Sequence, residues 1–194
     1  RVSVLMSVHN GWPWLAEAVT SVLVQTWEDF EFVIVDDGST DATGEYLAGV
    51  RDPRVIVSRQ ARTGLAVALN RAVARSRGPL VARMDADDVA EAGRLARKVA
   101  FLDGHPEVGV LGTGWRELGP EGEVLEVAPP PRDDAAIRAA LPRHNPIAHP
   151  TVMIRRQVGD AVGWYDPRVP VAQDWDLWIR LARVTRFANL PEPL

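Results

Sequence analysis

The sequence contains no cysteine. Disulfides, thiolate metal sites and cysteine nucleophiles are therefore excluded, while the redox compartment is left open. Lysine is almost as scarce: Lys98 is the single example, and arginine supplies the rest of the positive charge. No apolar run approaches the length of a membrane span, and the residues at hand carry no charged start, apolar core and cleavage site of a secretion signal. There is no internal repeat, and low complexity is limited to Pro129, Pro130 and Pro131. Positive charge is not in excess either. A net charge of −4 and a pI near 5.6 disfavour non-specific binding to nucleic acid, which is not expected as a partner. What is present is ordinary globular material: 194 residues, 46% hydrophobic and 25% charged, enough for one substantial core.

Strand-like and helix-like segments alternate. "RVSVLMSV" (1–8) is almost continuously apolar, as a strand covered on both faces should be. "NGWP" breaks it, and Trp14, Leu15, Ala18, Val19, Val22 and Leu23 then follow at helical spacing, predicting a helix to about Gln25. "FEFVIV" (30–35) predicts a second strand, "RVIVS" (54–58) a third, "LVARM" (80–84) a fourth and "VGVLGTG" (108–114) a fifth. Helices are expected through Tyr46 and Leu47, over 64–75 and over 91–102. Such alternation indicates a mostly parallel, Rossmann-like α/β sheet flanked by helices, in which ligands bind outside the carboxyl ends of the strands.

After Trp115 the pattern changes. A hairpin around 119–122, a helix over 133–141, a loop "PRHNPIAHP", a strand "TVMIRR" and a helix "DWDLWIRLARV" are expected, and the chain stops at "NLPEPL" with no visible closing element. This half reads as a small C-terminal extension of the same domain.

Both acidic clusters fall at predicted strand ends. The stretch "ARMDADD" places Asp85, Asp87 and Asp88 within four residues, a costly arrangement unless solvent, a helix N-terminus or a cation compensates. On an extended backbone Asp85 and Asp87 project to one side, roughly 7 Å apart at Cα. A divalent cation shared with a diphosphate fits such carboxylates, and Mn²⁺ or Mg²⁺ suits the mixed shell. A solvated turn feeding the next helix is the alternative, and Asp88-x-x-Glu91 resembles a capping box. At Asp36-Asp37-Gly38-Ser39 a carboxylate is placed to meet a base or a ribose, with helix capping by Ser39, Thr40 or Asp41 as the alternative. The tryptophans read most simply as core, with Trp164 or Trp175 also suited to stack on a sugar face.

The set "VSVLMSVHN", "SVLVQTWEDFEFVIVDDGSTD", "GLAVALN", "ARMDADD" and "QDWDLW", in that order, resembles the family 2 glycosyltransferases of GT-A fold. The resemblance covers nearly the whole chain. It implies one domain over 1–194, with a nucleotide-sugar-binding half at 1–114 and an acceptor-side half at 115–194. It implies inverting transfer of a sugar from a nucleotide-diphosphate donor to a saccharide or lipid-linked acceptor, with Mn²⁺ or Mg²⁺. A cytoplasmic location follows, with peripheral association at the inner face of a membrane compatible with it. Residue by residue, His9 and Asn10 border the nucleotide and Asp37 recognises the base. Asp85 faces the ribose or donor sugar and shares the metal, and Asp87 is its more direct ligand. Arg62 meets phosphate and Asn70 anchors its loop, although a solvated arginine and a helix-packing asparagine are the plainer readings. Asp174 matches the acid that deprotonates the acceptor, and Asp176 then caps the helix. Gln173 departs from the acid commonly found before that base, which puts in doubt how the acceptor is oriented. His149 is expected on the acceptor side with Trp175; His144 also flanks that loop.

Two other classes compete. A sugar nucleotidyltransferase needs a glycine-rich loop with a basic residue after the first strand, and "VHNGWPWL" has only His9. A non-enzymatic module is the other: a receiver-like domain lacks its acid pair after the first strand and its lysine near the fifth, and a nucleotide-binding relic is what Gln173 leaves open.

Overall fold

The computed structural model describes residues 1–119, 123–125 and 129–194. The β-rich runs form β1 (Val2–Val8), β2 (Phe30–Asp37), β3 (Val55–Gln60), β4 (Leu80–Arg83) and β5 (Val108–Gly114). Between them lie α1 (Leu15–Leu23), α2 (Thr43–Gly49), α3 (Leu65–Arg75) and α4 (Arg94–Gly104). The second half adds a small hairpin, β6 (Glu117–Leu118) with β7 (Val124–Leu125), then α5 (Asp134–Ala140), β8 (Met153–Arg155), α6 (Arg156–Val162), α7 (Gln173–Leu181) and β9 (Arg186–Pro193). The tip of the expected hairpin, 120–122, lies outside the described residues.

Seven strands make one sheet in the order β3-β2-β1-β4-β8-β5-β9. β1 pairs in parallel with both β2 and β4, with Val8 opposite Asp36 and Leu5 opposite Arg83. The carboxyl ends of β1, β2 and β4 therefore share one edge, and every proposed donor-side residue follows one of these strands or lies in the adjoining loops. β8 runs antiparallel to both of its neighbours, so the sheet is mixed on its far side. Leu15, Val19, Leu95 and Val99 of α1 and α4 cover one face, and Leu69, Val73, Ile137, Leu177 and Trp178 cover the other.

Four expectations change. The segment 186–193 is an edge strand paired in parallel with β5. Its two prolines hid it, yet prolines are tolerated at a sheet edge, where backbone donors are not all needed. The fourth strand ends at Arg83, so Asp85 and Asp87 are not on extended backbone, and Asp87 sits in a turn. Their period-two alignment does not apply. α4 begins at Arg94 with Gly93 as its cap residue and no side-chain cap, so Asp88 and Glu91 form no capping box. A helix the periodicity did not show, α6, ends on left-handed Gly163.

Candidate active site

The β1–α1 and β2–α2 turns are stitched together by the residues expected at the nucleotide. His9 donates from Nδ1 to the Asp37 carbonyl at 3.0 Å. Asn10 takes the left-handed conformation, with φ of 55°, which asparagine tolerates. Its Oδ1 accepts from the Thr40 N–H at 2.8 Å, and its own N–H donates to Ser39 Oγ at 3.0 Å. Ser39 and Asp41 cap no helix; Asp41 accepts from the Thr43 and Trp12 N–H groups instead.

Asp37 is buried, and its carboxylate is heavily used. Oδ1 accepts from Gln60 Nε2 at 2.7 Å, the Thr63 N–H at 2.9 Å and Thr63 Oγ1 at 3.0 Å, and Oδ2 accepts from the Gly64 N–H at 2.8 Å. Burial raises its pKa, but these donors outweigh burial and hold it below the usual value. Asp37 thus builds the loop before α3 and keeps one acceptor position on Oδ2. Gly38 completes the junction: its φ is +75°, and a Cβ there would stand 2.7 Å from the Arg62 backbone nitrogen. Arg62 is exposed beside it and makes no side-chain hydrogen bond or ion pair among the described residues. Asn70 does not anchor its own loop; it holds the Tyr165 backbone in the other half.

Beyond β4 the acids divide. Asp85 is ion-paired with Arg83, a side chain only 4% exposed. Asp87 is exposed, and it lines a cleft of about 1200 Å³ together with Asp88, Thr20, Trp115, Pro150 and Leu194. Asp88 is pushed up to about 6, first by burial and then by the charges of Asp85 and Asp87. Negative charge is therefore concentrated here beyond what Arg83 and Arg94 offset. No three histidine, aspartate or glutamate side chains among the described residues converge on a cation site. The donor set fits a hard divalent ion held by one or two carboxylates, with diphosphate and water completing the shell.

The segment after β5 meets this edge through buried groups. His149 is 8% exposed, and its Nε2 lies 2.8 Å from the Tyr165 hydroxyl. Burial, with Arg83 nearby, holds its pKa well below the ordinary value, so it is neutral. His149 is packed edge-on against Tyr165 and Trp178. Burial raises the Tyr165 phenol, Arg83 opposes that, and the charges of Asp174 and Asp85 add to it. Asp174 stands in the first turn of α7, where its Oδ2 accepts from Asn145 Nδ2 at 2.6 Å. Asp176 is not the cap: no side chain caps α7, and Asp176 pairs with Arg180 at 2.7 Å. Trp175 is partly buried, with its indole N–H donating to the Leu141 carbonyl at 2.9 Å. Trp164 is buried, bonded to Asp160 and packed over Gly159, which leaves no ring face for a sugar. His144 is exposed.

Sequence reasoning missed the cations beneath the acidic loop. Arg94 donates to the carbonyls of Arg83 and Pro150, and Lys98 to those of Leu111 and Thr151. Burial pushes Arg94 down to about 10 and Lys98 far below its usual value. The signal was available: Arg94 and Lys98 lie four apart on the same helix face as Leu95, Val99 and Leu102.

Residues 3–161 match the model of the family described as Glycosyl transferase family 2. The chain is 32% identical over 205 residues to the putative glycosyltransferase EpsE of Bacillus subtilis (strain 168), covering all of this chain and 71% of that protein. Among solved structures it resembles S. aureus TarS 1-349 in complex with UDP, with a TM-score of 0.82 at 21% identity over 99% of this chain and 58% of that one. It also resembles the mannosyltransferase PcManGT of Pyrobaculum calidifontis in complex with GDP-Man and Mn²⁺, with a TM-score of 0.76 at 21% identity over 100% of this chain and 55% of that one. The chain thus spans little more than half of each solved chain.

Proposed function

The chain belongs to glycosyl transferase family 2, with a sheet of GT-A type, and from that premise we propose that it is an inverting, metal-assisted sugar transferase. The donor is a nucleotide-diphosphate sugar, and the acceptor is a hydroxyl of a saccharide or a lipid-linked saccharide. The observation that carries this reading is that the carboxyl ends of β1, β2 and β4 lie side by side, which brings His9, Asp37 and the Arg83-paired Asp85 to one edge of the sheet.

The nucleotide lies along the turns that His9, Asn10 and Asp37 hold together, with Asp37 Oδ2 meeting the base. Arg62, exposed beside Gly38 and unpaired among the described residues, is the side chain offered to phosphate. Asp87 and Asp85 would hold Mn²⁺ or Mg²⁺, which when bound neutralises charge developing on the leaving diphosphate. Asp174 takes the proton of the acceptor hydroxyl as its oxygen bonds to the anomeric carbon from the side opposite the leaving group. The bond to the diphosphate breaks with its electron pair, and the nucleoside diphosphate departs. A sugar nucleotidyltransferase lacks support, since the β1–α1 turn offers no basic side chain but His9.

The test is a thermal-shift panel of UDP- and GDP-sugars with and without Mn²⁺, followed by Asp174→Asn. A donor selective for the native state raises Tm by mass action. Asp174→Asn should cut turnover by about 10²–10⁴ while leaving donor and Mn²⁺ binding unchanged. An active Asp174→Asn protein, or no stabilising donor, would overturn the reading.

A further inference from the structure

We infer that Asn145 is the positioning residue for Asp174, an inference that rests on reading Asp174 as the base. Asn145 Nδ2 donates to Asp174 Oδ2 at 2.6 Å, and the Asp174 carboxylate makes no other side-chain hydrogen bond or ion pair among the described residues. The amide cannot simply be reversed, because Asn145 Oδ1 accepts from the Ile147 N–H at 3.3 Å. That second contact fixes which end of the amide faces the carboxylate.

The support behind Asn145 is rigid. Ile147 is buried in the core, and Asn189 Nδ2 donates to the Pro146 carbonyl at 3.4 Å and the Pro131 carbonyl at 2.7 Å. α7 is tied to the end of α5 by the Trp175 indole on the Leu141 carbonyl. Donor and acceptor thus come from two segments that are each pinned, so the hydrogen bond fixes the rotation of a partly exposed carboxylate. With Oδ2 held by a donor, Oδ1 is the oxygen left to take the proton. This resolves the difficulty raised by Gln173: the anchor for the base comes from the loop after α5, not from the residue before it. Neither histidine of that loop serves, since His144 is exposed and His149 is engaged by Tyr165.

The experiment compares wild type, Asn145→Ala, Asn145→Asp, Asp174→Asn and the Asn145→Asp/Asp174→Asn pair. Turnover is followed as release of nucleoside diphosphate from whichever UDP- or GDP-sugar gives the largest Mn²⁺-dependent thermal shift. Asn145→Asp keeps the shape and the acceptor toward Ile147 but replaces the donor with a negative charge. Asn145→Ala removes the donor without adding charge, so kcat should fall between roughly 10- and 100-fold in both single variants, with donor KM unchanged. A loss seen in Asn145→Asp alone would report repulsion between two carboxylates and would overturn the inference. In the Asp174→Asn background the same change should cost nothing further, because both act through one group. Full activity of Asn145→Asp beside an inactive Asp174→Asn would overturn the inference and leave the base in place. Full activity of Asp174→Asn would instead overturn the base. A second readout is independent of turnover: the side-chain amide resonances of Asn145, identified by their loss in Asn145→Asp, should shift in Asp174→Ala. An unchanged amide pair would also overturn the inference.

Discussion

Asn70 holds the backbone of Tyr165 from 95 residues away, donating to its carbonyl at 2.7 Å and accepting from its N–H at 3.1 Å. One side chain of α3 therefore fixes the segment that carries the phenol bonded to His149. Asn70→Ala leaves a buried N–H and C=O without partners and should cost about 2 kcal/mol or more. Urea unfolding checks this, with the midpoint falling and the slope unchanged. Asn70→Asp, which keeps the acceptor and loses the donor, should fall between the two. Wild-type stability in Asn70→Ala would mean that the halves are held together elsewhere.

The acids after β4 should separate in calorimetry. Mn²⁺ and nucleoside diphosphate are expected to bind wild type with positive coupling, each strengthening the other. Asp87→Ala should remove the coupling with little loss of stability, because Asp87 is exposed. Asp85→Ala should weaken binding and also lower stability by about 3 kcal/mol, since it leaves the buried Arg83 guanidinium without its ion-pair partner. Independent binding in wild type would remove the cation from between the carboxylates and the diphosphate.

His149 should behave as a packing group. Burial holds its pKa well below the usual value, so it stays neutral. His149→Gln should lower stability by about 1–2 kcal/mol through the lost Tyr165 contact, while the shape of the pH–rate profile stays the same. A profile that loses one of its limbs would return His149 to the chemistry.

Acid should loosen the protein at both ends of β2. Glu31 accepts from Ser3, Arg77 and Gly78 at the start of β2, and Asp37 from Gln60, Thr63 and Gly64 at its end. Burial raises both pKa values, and the donors outweigh it, so both lie below their ordinary values of 4.5 and 3.8. For a depressed carboxylate the unfolded chain binds more protons, so stability rises with pH through the window. The contribution is complete above 4.5 and 3.8 respectively and is lost as pH falls through each lowered pKa. Denaturant midpoints measured at descending pH should fall less steeply in Glu31→Gln than in wild type.

Much of the donor edge was legible in the residues themselves. Buried parallel strands advertise themselves as continuous apolar runs, and their carboxyl ends are where β1, β2 and β4 bring His9, Asp37 and Arg83 together. Asp87 and Asp174 were legible for the same reason, as acids placed just past an apolar strand or within the first turn of an amphipathic helix. Periodicity reports only which face of its own element a residue occupies. It could not show that 186–193, with its prolines, pairs with β5, because strand pairing is decided by what lies beside the chain. Nor could it show that Arg83 neutralises Asp85, that the single lysine is wholly buried under the Thr151 carbonyl, or that Asn145 reaches Asp174. A buried charge or amide must find its partner wherever the fold brings one, and those partners lie at sequence separations of 53 for Lys98 and 29 for Asn145. The local pattern determined which carboxylates stand at the edge of the sheet; the tertiary approach of distant segments decided which of them are paired, which are held and which are left for a ligand.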